Sequence, residues 1–301
     1  MYIPFNDRVA ISSVLGLLAG YVDVICLVRY GAFAVTQTGN IIFIGSSLHA
    51  FLFGECQRGI DGQAPDALLR QGCAAVAAQQ VAFSVAVLLS NLAGAYTYCA
   101  LHHRYPRSTA SCAAPFFALL TLAADAAGSL PDLFGGLHVP GWETPHAPSG
   151  PGHRRWHDGE LTRWSVCLVA YSLGAVHFLS NTADGSRLKA PAFAATGHLQ
   201  KIVKFCWNHG TLCKPLSDAQ REAIGQSVGC VLMMLLGAML GGVAMHLNPF
   251  VDADDDGDTW LLVPAAIVQF AVLKWHDAKI PPPGGWPSAL VEPLAAAPQK
   301  V

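Results

Sequence analysis

Residues 9–28 read VAISSVLGLLAGYVDVICLV, twenty positions with a single charge, Asp23. A run of this length covers the roughly 30 Å of hydrocarbon in a bilayer. It is too long for the apolar part of a cleaved leader and carries a carboxylate, so it reads as a helix that stays in the chain and spans. The same pattern recurs. Apolar segments follow at Ala32–Phe53, Gly72–Leu101, Cys112–Leu130, Leu161–Ser180, Ala190–Trp207, Ile224–Leu247 and Trp260–Trp275. The composition agrees: 52% of the 301 residues are hydrophobic and only 13% charged, where a soluble domain carries about 25% charged residues. The chain is therefore expected to be an all-α polytopic transmembrane bundle whose first partner is the lipid bilayer.

The second and sixth segments are the irregular ones. Ala32–Phe53 contains Thr36, Gln37, Thr38, Gly39 and Asn40; Ala190–Trp207 contains Thr196, Gly197, His198 and Gln200. The expectation is about eight segments, either all spanning or six full spans plus two broken or re-entrant helices. With eight spans and a cytoplasmic N-terminus, 13 of the 18 Lys and Arg residues face the cytoplasm, as the positive-inside rule asks. Both termini are then expected in the cytoplasm and the protein in the plasma (cell) membrane.

Two stretches stand outside the membrane pattern. Residues 135–160 are rich in Pro, Gly and His, and residues 281–301 begin PPPGGWP. They divide the chain into a first membrane repeat at 1–134, a linker at 135–160, a second membrane repeat at 161–280 and a disordered tail at 281–301. The halves align in order. Gly20-Tyr-Val-Asp23 and Gly31-Ala-Phe-Ala-Val-Thr-Gln-Thr-Gly-Asn40 match Gly174-Ala-Val-His177 and Ala190-Pro-Ala-Phe-Ala-Ala-Thr-Gly-His198. Gly94 matches the glycines at 237, 241 and 242, and the run Pro115–Asp125 matches Pro264–Lys274. This places Asp23 opposite His177, Asn40 opposite His198 and Asp125 opposite Lys274. Four spans per half make a parallel repeat and three make an inverted one; both occur in secondary transporters.

The run Gly20-Tyr-Val-Asp-Val-Ile, with Phe33, Gln37-Thr-Gly-Asn40 and Gly45, resembles the signature of the YoaK-like family, and Ala195-Thr-Gly-His-Leu-Gln-Lys201 resembles that family's second Thr-Gly motif. The resemblance covers about Val9 to Trp275. It implies a small polytopic membrane protein whose domain has no established function. The chain departs from the pattern at His177-Phe178, where the family more often has Gln-Asn.

A carboxylate inside a span is costly and by default marks a functional site. Asp23, facing an imidazole at His177, has the chemistry of a proton relay; a structural hydrogen bond is the competing reading. Thr38-Gly39-Asn40 and Thr196-Gly197-His198 offer glycine-freed backbone and polar groups for a solute, or small residues for helix packing. Asp125 and Lys274 are candidates for a cross-repeat ion pair, with Lys274 otherwise reaching to the interface. Gln79, Gln80 and Asn91 are either interhelical hydrogen bonds or lining groups.

Other chemistry is not indicated. The net charge is −2 and no basic stripe points to nucleic acid. The nine cysteines form no CxxC pair, so no metal or redox motif is read. Asp252-Ala-Asp-Asp-Asp-Gly-Asp258 opens like a calcium loop, but its twelfth position is Val263. His146, His153 and His157 lie in the flexible linker. No hydrolase, metalloprotease or nucleotide-binding motif is present. The expectation is a protein without cofactor or enzymatic activity: a secondary transporter or permease for a small-molecule solute, with a membrane scaffold or sensor as the alternative and a membrane-embedded enzyme ranked last. A transporter would place Asp23, Thr38, Asn40, His177 and Thr196 together at mid-membrane.

Overall fold

A computed structural model describes residues 5–53, 67–105, 108–129, 164–181, 195–207, 217–246 and 260–279. The linker at 135–160, the acidic run at 252–258, the three linker histidines and the C-terminal tail lie outside the described residues. The described chain is all-helical: α1 (Phe5–Tyr30), α2 (Gln37–Phe53), α3 (Ala67–Arg104), α4 (Thr109–Ser129), α5 (Val166–Asn181), α6 (Ala195–Cys206), α7 (Asp218–His246) and α8 (Val263–Ala278). Four of them contain stretches long and apolar enough to cross a membrane: Asp7–Leu27, Ala77–Arg104, Thr109–Ala127 and Ala223–Met245. α5 is a shorter apolar helix. The segments read from hydropathy thus each become a helix. The chain is a membrane bundle.

Side-chain contacts give the direction of each long helix. α1 and α7 run parallel: Gln226 near the start of α7 donates to Ser12 near the start of α1 at 2.7 Å, and Gly241 late in α7 packs on Tyr21 and Val24 late in α1. α3 and α5 are also parallel, since Phe83 meets Trp164 and, further along both, Tyr98 meets Phe178. α4 opposes α5: Ser172 donates to the Phe117 carbonyl and Ser165 to that of Ala124. α1 opposes α8, because Tyr21 donates to the Leu261 carbonyl at 2.8 Å while Lys279 pairs with Asp7 at 3.1 Å.

α4 and α8 oppose each other through a reciprocal cap. The first four N–H groups of a helix have no partner within it. Asp125, near the end of α4, accepts from the Leu262 and Val263 N–H groups at the start of α8, at 2.8 and 3.1 Å. Asp277, near the end of α8, accepts from Ser111 N–H at the start of α4 at 2.6 Å. The candidate ion pair of Asp125 with Lys274 is not formed: the Lys274 ammonium lies 5.7 Å from the centre of the Phe270 ring. An antiparallel neighbour brings open N–H groups to Asp125, so the carboxylate needs no cation. Asp125→Ala strands one buried and one part-buried donor, at up to about 1–3 kcal/mol each, and is expected to destabilise more than Asp277→Ala, which strands one part-buried donor. Thermal unfolding of the two variants in detergent checks the order.

These directions put α1, α4 and α7 one way and α3, α5 and α8 the other. α1 and α3 are antiparallel, so α2 and its flanking loops leave and return on one face of the bundle. α5 and α7 are antiparallel as well, so α6 does the same from the opposite face. By direction, α1, α3, α4, α5, α7 and α8 run from face to face, with α5 and α8 shorter than the four candidate spans, and α2 and α6 make no net crossing.

Two close crossings hold the long pairs. A Cβ on Gly20 would collide with the Met234 carbonyl, and one on Gly237 with that of Leu17. A Cβ on Gly174 would collide with the Asn91 carbonyl, and one on Gly94 with that of Tyr171. In both crossings each glycine sits over the carbonyl three residues before its partner glycine. Lipid offers no hydrophobic drive between helices, so such backbone-to-backbone approach supplies the packing that holds them.

Candidate functional site

The site is built where α1 stops. Gly31 takes φ 70°, a left-handed conformation that glycine adopts without strain, and its N–H bonds the Leu27 carbonyl at 3.1 Å. The chain then leaves the helix and stays irregular through residues 31–36 before α2 begins. Ala32, Ala34 and Val35 in this stretch are buried. Irregular backbone at membrane depth is tolerated where protein groups satisfy it, and Asp23, Gln37 and Asn40 do so.

Asp23 accepts from Val35 N–H at 2.8 Å through one carboxylate oxygen, and from Thr36 N–H at 3.1 Å and the Thr36 hydroxyl at 2.6 Å through the other. Asn40 accepts from Phe33 N–H at 3.0 Å and donates to the Phe33 carbonyl at 2.6 Å and to Gln37 Oε1 at 3.0 Å. Gln37 donates to the Ala34 carbonyl at 3.1 Å. Asn91, at the α3–α5 crossing, donates to the same Ala34 carbonyl at 3.3 Å and to that of Ala170 at 3.2 Å. One carbonyl thus ties the break to α3, while Asn91 ties α3 to α5. Asp23 and Asn91 lie inside the apolar stretches of α1 and α3, so the break reaches into the apolar zone.

The other expected residues divide. Gly39 leaves room for the Phe33 ring, which a Cβ would strike. Thr38 is exposed, so it points away from the cluster that Asp23 and Asn40 form. His177 is half-buried on α5, one turn beyond Gly174, and is not among the hydrogen-bond partners of Asp23. His198 is fully buried in the first turn of α6, the place Asn40 holds in α2. Thr196 and Gly197 fall in that same turn, and the structure does not describe the Thr196 side chain. Gln79 is half-buried, and Gln80 bonds Ser84 one turn on, at 3.3 Å. Asp23, Asn40 and Asn91 are therefore brought together, and Asp23 and His177 are not bonded to each other.

Sequence reasoning passed over a second polar cluster. Gln269 on α8 donates to the Ser172 hydroxyl on α5 at 2.6 Å, and Thr121 on α4 donates to Gln269 Oε1 at 3.0 Å. All three are buried. Each stands alone in its own helix, so no local motif announces the cluster; only its helix partners do. Among the described residues no three His, Cys, Asp or Glu side chains group as a metal site.

The family described as "Protein of unknown function (DUF1275)" matches residues 11–273, which is nearly the whole described bundle. The chain belongs to that family. No curated protein and no solved structure matches it.

Proposed function

We propose that this DUF1275 member is a secondary transporter or permease for a small solute, built from two inverted repeats. The carrying observation is the pair of opposed halves, each with one helix that makes no net crossing. The first half runs α1, α3, α4 with α2 set in between; the second runs α5, α7, α8 in the reverse directions with α6 in the matching place. The packing respects the exchange: α1 with α7 mirrors α3 with α5, α2 with α3 mirrors α6 with α7, and α4 with α5 mirrors α8 with α1. The matched glycine crossings and the reciprocal Asp125 and Asp277 caps obey the same rule, pairing Asp125 with Asp277 where the sequence alignment pairs it with Lys274. Inverted repeats with discontinuous helices are a recurring transporter design, with the site at the break.

The scaffold reading draws on a different observation: Asp23, Asn40 and Asn91 all bond to the protein's own backbone. Uptake separates the two. Purified protein in liposomes, offered a panel of neutral and charged radiolabelled solutes under an inward proton gradient, is expected to accumulate at least one above protein-free vesicles. No accumulation across the panel favours the scaffold. A proton role for His177 predicts that His177→Gln keeps solute exchange but no longer responds to the gradient.

With six traverses and a cytoplasmic N-terminus, 12 of the 18 Lys and Arg residues face the cytoplasm, so the positive-inside rule favours the same orientation. Both termini then share the cytoplasmic side of the cell membrane.

A further inference from the structure

α2 and α6 hold matching places yet present different surfaces. α2 exposes Ile41, Ile42, Leu48 and Leu52 and contains no Lys or Arg. α6 has three faces. His198 is buried, with Ile202 and Phe205 half-buried beside it, and α6 packs against α7. Leu199, Val203 and Trp207 follow one another at a spacing of four and are all exposed, which makes one apolar stripe along a helix. Gln200, Lys201 and Lys204 are exposed on the remaining arc. A helix surrounded only by lipid or only by water needs two faces. Protein on one side, an apolar stripe on the second and ammonium groups on the third match a helix at the membrane–water boundary. Trp207 stands where the stripe meets the polar arc, the place an indole prefers.

The surrounding charge specifies the headgroup. The bundle face on which α6 enters also exposes Arg104 at the end of α3 and Arg221 at the start of α7, while Arg8 is buried and Lys279 is paired with Asp7. The opposite face holds Arg29 and Arg70 among the described helix ends. A surface of this sign attracts anionic lipid, at roughly fivefold in affinity per basic side chain near the headgroups.

We propose that α6 is a binding site for anionic phospholipid, with Lys201 and Lys204 on the headgroup phosphate and the acyl chains along Leu199, Val203 and Trp207. The site is independent of transport. Its test is quenching of Trp207 fluorescence, taken as the signal lost in Trp207→Phe, by brominated lipids in vesicles holding the full-length protein. Brominated phosphatidylglycerol is expected to half-quench Trp207 at a mole fraction at least about fivefold below that of brominated phosphatidylcholine. Lys201→Gln/Lys204→Gln should bring the two mole fractions together, and Lys201→Arg/Lys204→Arg should keep them apart. Equal quenching in the wild type, or a preference that survives the glutamine pair, overturns the proposal. A preference abolished by excess inorganic phosphate assigns the lysines to free phosphate and overturns the lipid site.

Discussion

Gly20→Val is expected to cost about 3 kcal/mol, the upper end for forcing atoms into a packed core, and to leave little folded protein in detergent. The added Cβ would meet the Met234 carbonyl, a backbone atom that no rotamer change can move. α1 and α7 must then separate along their whole contact, giving up the approach on which helix association in lipid rests. Gly174→Val should do the same to α3 and α5, through the Asn91 carbonyl. The series is graded. A Cβ on Gly16 would sit 2.8 Å from the Cys230 carbonyl, and one on Gly229 would sit 3.0 Å from the Ser13 hydroxyl, which can rotate away. Gly16→Ala should therefore cost less than Gly20→Ala, and Gly229→Ala less again. Gly225 and Gly242 have open space at the Cβ position; replacing either by alanine should be neutral or gain up to about 1 kcal/mol of helix propensity. Melting temperatures of the purified variants in one detergent check the order. Equal losses at Gly20 and Gly242 would remove the crossing as the cause.

Asp23→Ala carries the second large effect. It takes the acceptor from Val35 N–H, Thr36 N–H and the Thr36 hydroxyl. The hydroxyl can turn to another partner, but the two backbone donors cannot, and each costs about 1–3 kcal/mol when buried without an acceptor. The expected loss is about 2–5 kcal/mol, read as a lower melting temperature. Cysteines placed at 35 and 36 should also label faster with a thiol reagent in the Asp23→Ala background, because the break is no longer held to α1. Asp23→Asn keeps one oxygen but turns an amide donor toward donors already present, so it should fall between the wild type and Asp23→Ala. Asn91→Ala frees the Ala34 and Ala170 carbonyls, which tolerate it better through their remaining lone pair; its loss should be the smallest of the set. A full wild-type melting temperature for Asp23→Ala would show that the carboxylate does not hold the break, and would return it to the proton-relay reading.

The residues at the break show how far the sequence can be read. Asp23, Gln37, Gly39 and Asn40 stand out because polar groups and glycine are conspicuous in an apolar run, and the structure gathers Asp23, Gln37 and Asn40 around one short piece of backbone. Thr38 was equally conspicuous and is exposed, since its position on α2 turns it away; helix phase, not residue type, sets that. Asp125 stands out as an acid in an apolar segment, with Lys274 only a candidate partner, and the structure bonds it to backbone instead. The donors it accepts from are 137 and 138 residues along the chain, and no local pattern connects them. The cluster of Thr121, Ser172 and Gln269 was missed for the same reason.

Apolar length, glycine spacing and the expense of a charge in hydrocarbon are local properties. They are enough to determine that this chain is a helical membrane protein, where its helices lie, and that the second and sixth segments are irregular. Direction is not local. Whether α2 and α6 cross depends on how α1 lies against α3 and α5 against α7, and that is decided by which carbonyl each glycine meets and which N–H groups each carboxylate finds. Those partners come together only when the helices pack, so the directions of the helices and the part Asp23 plays in holding the break belong to the tertiary structure alone.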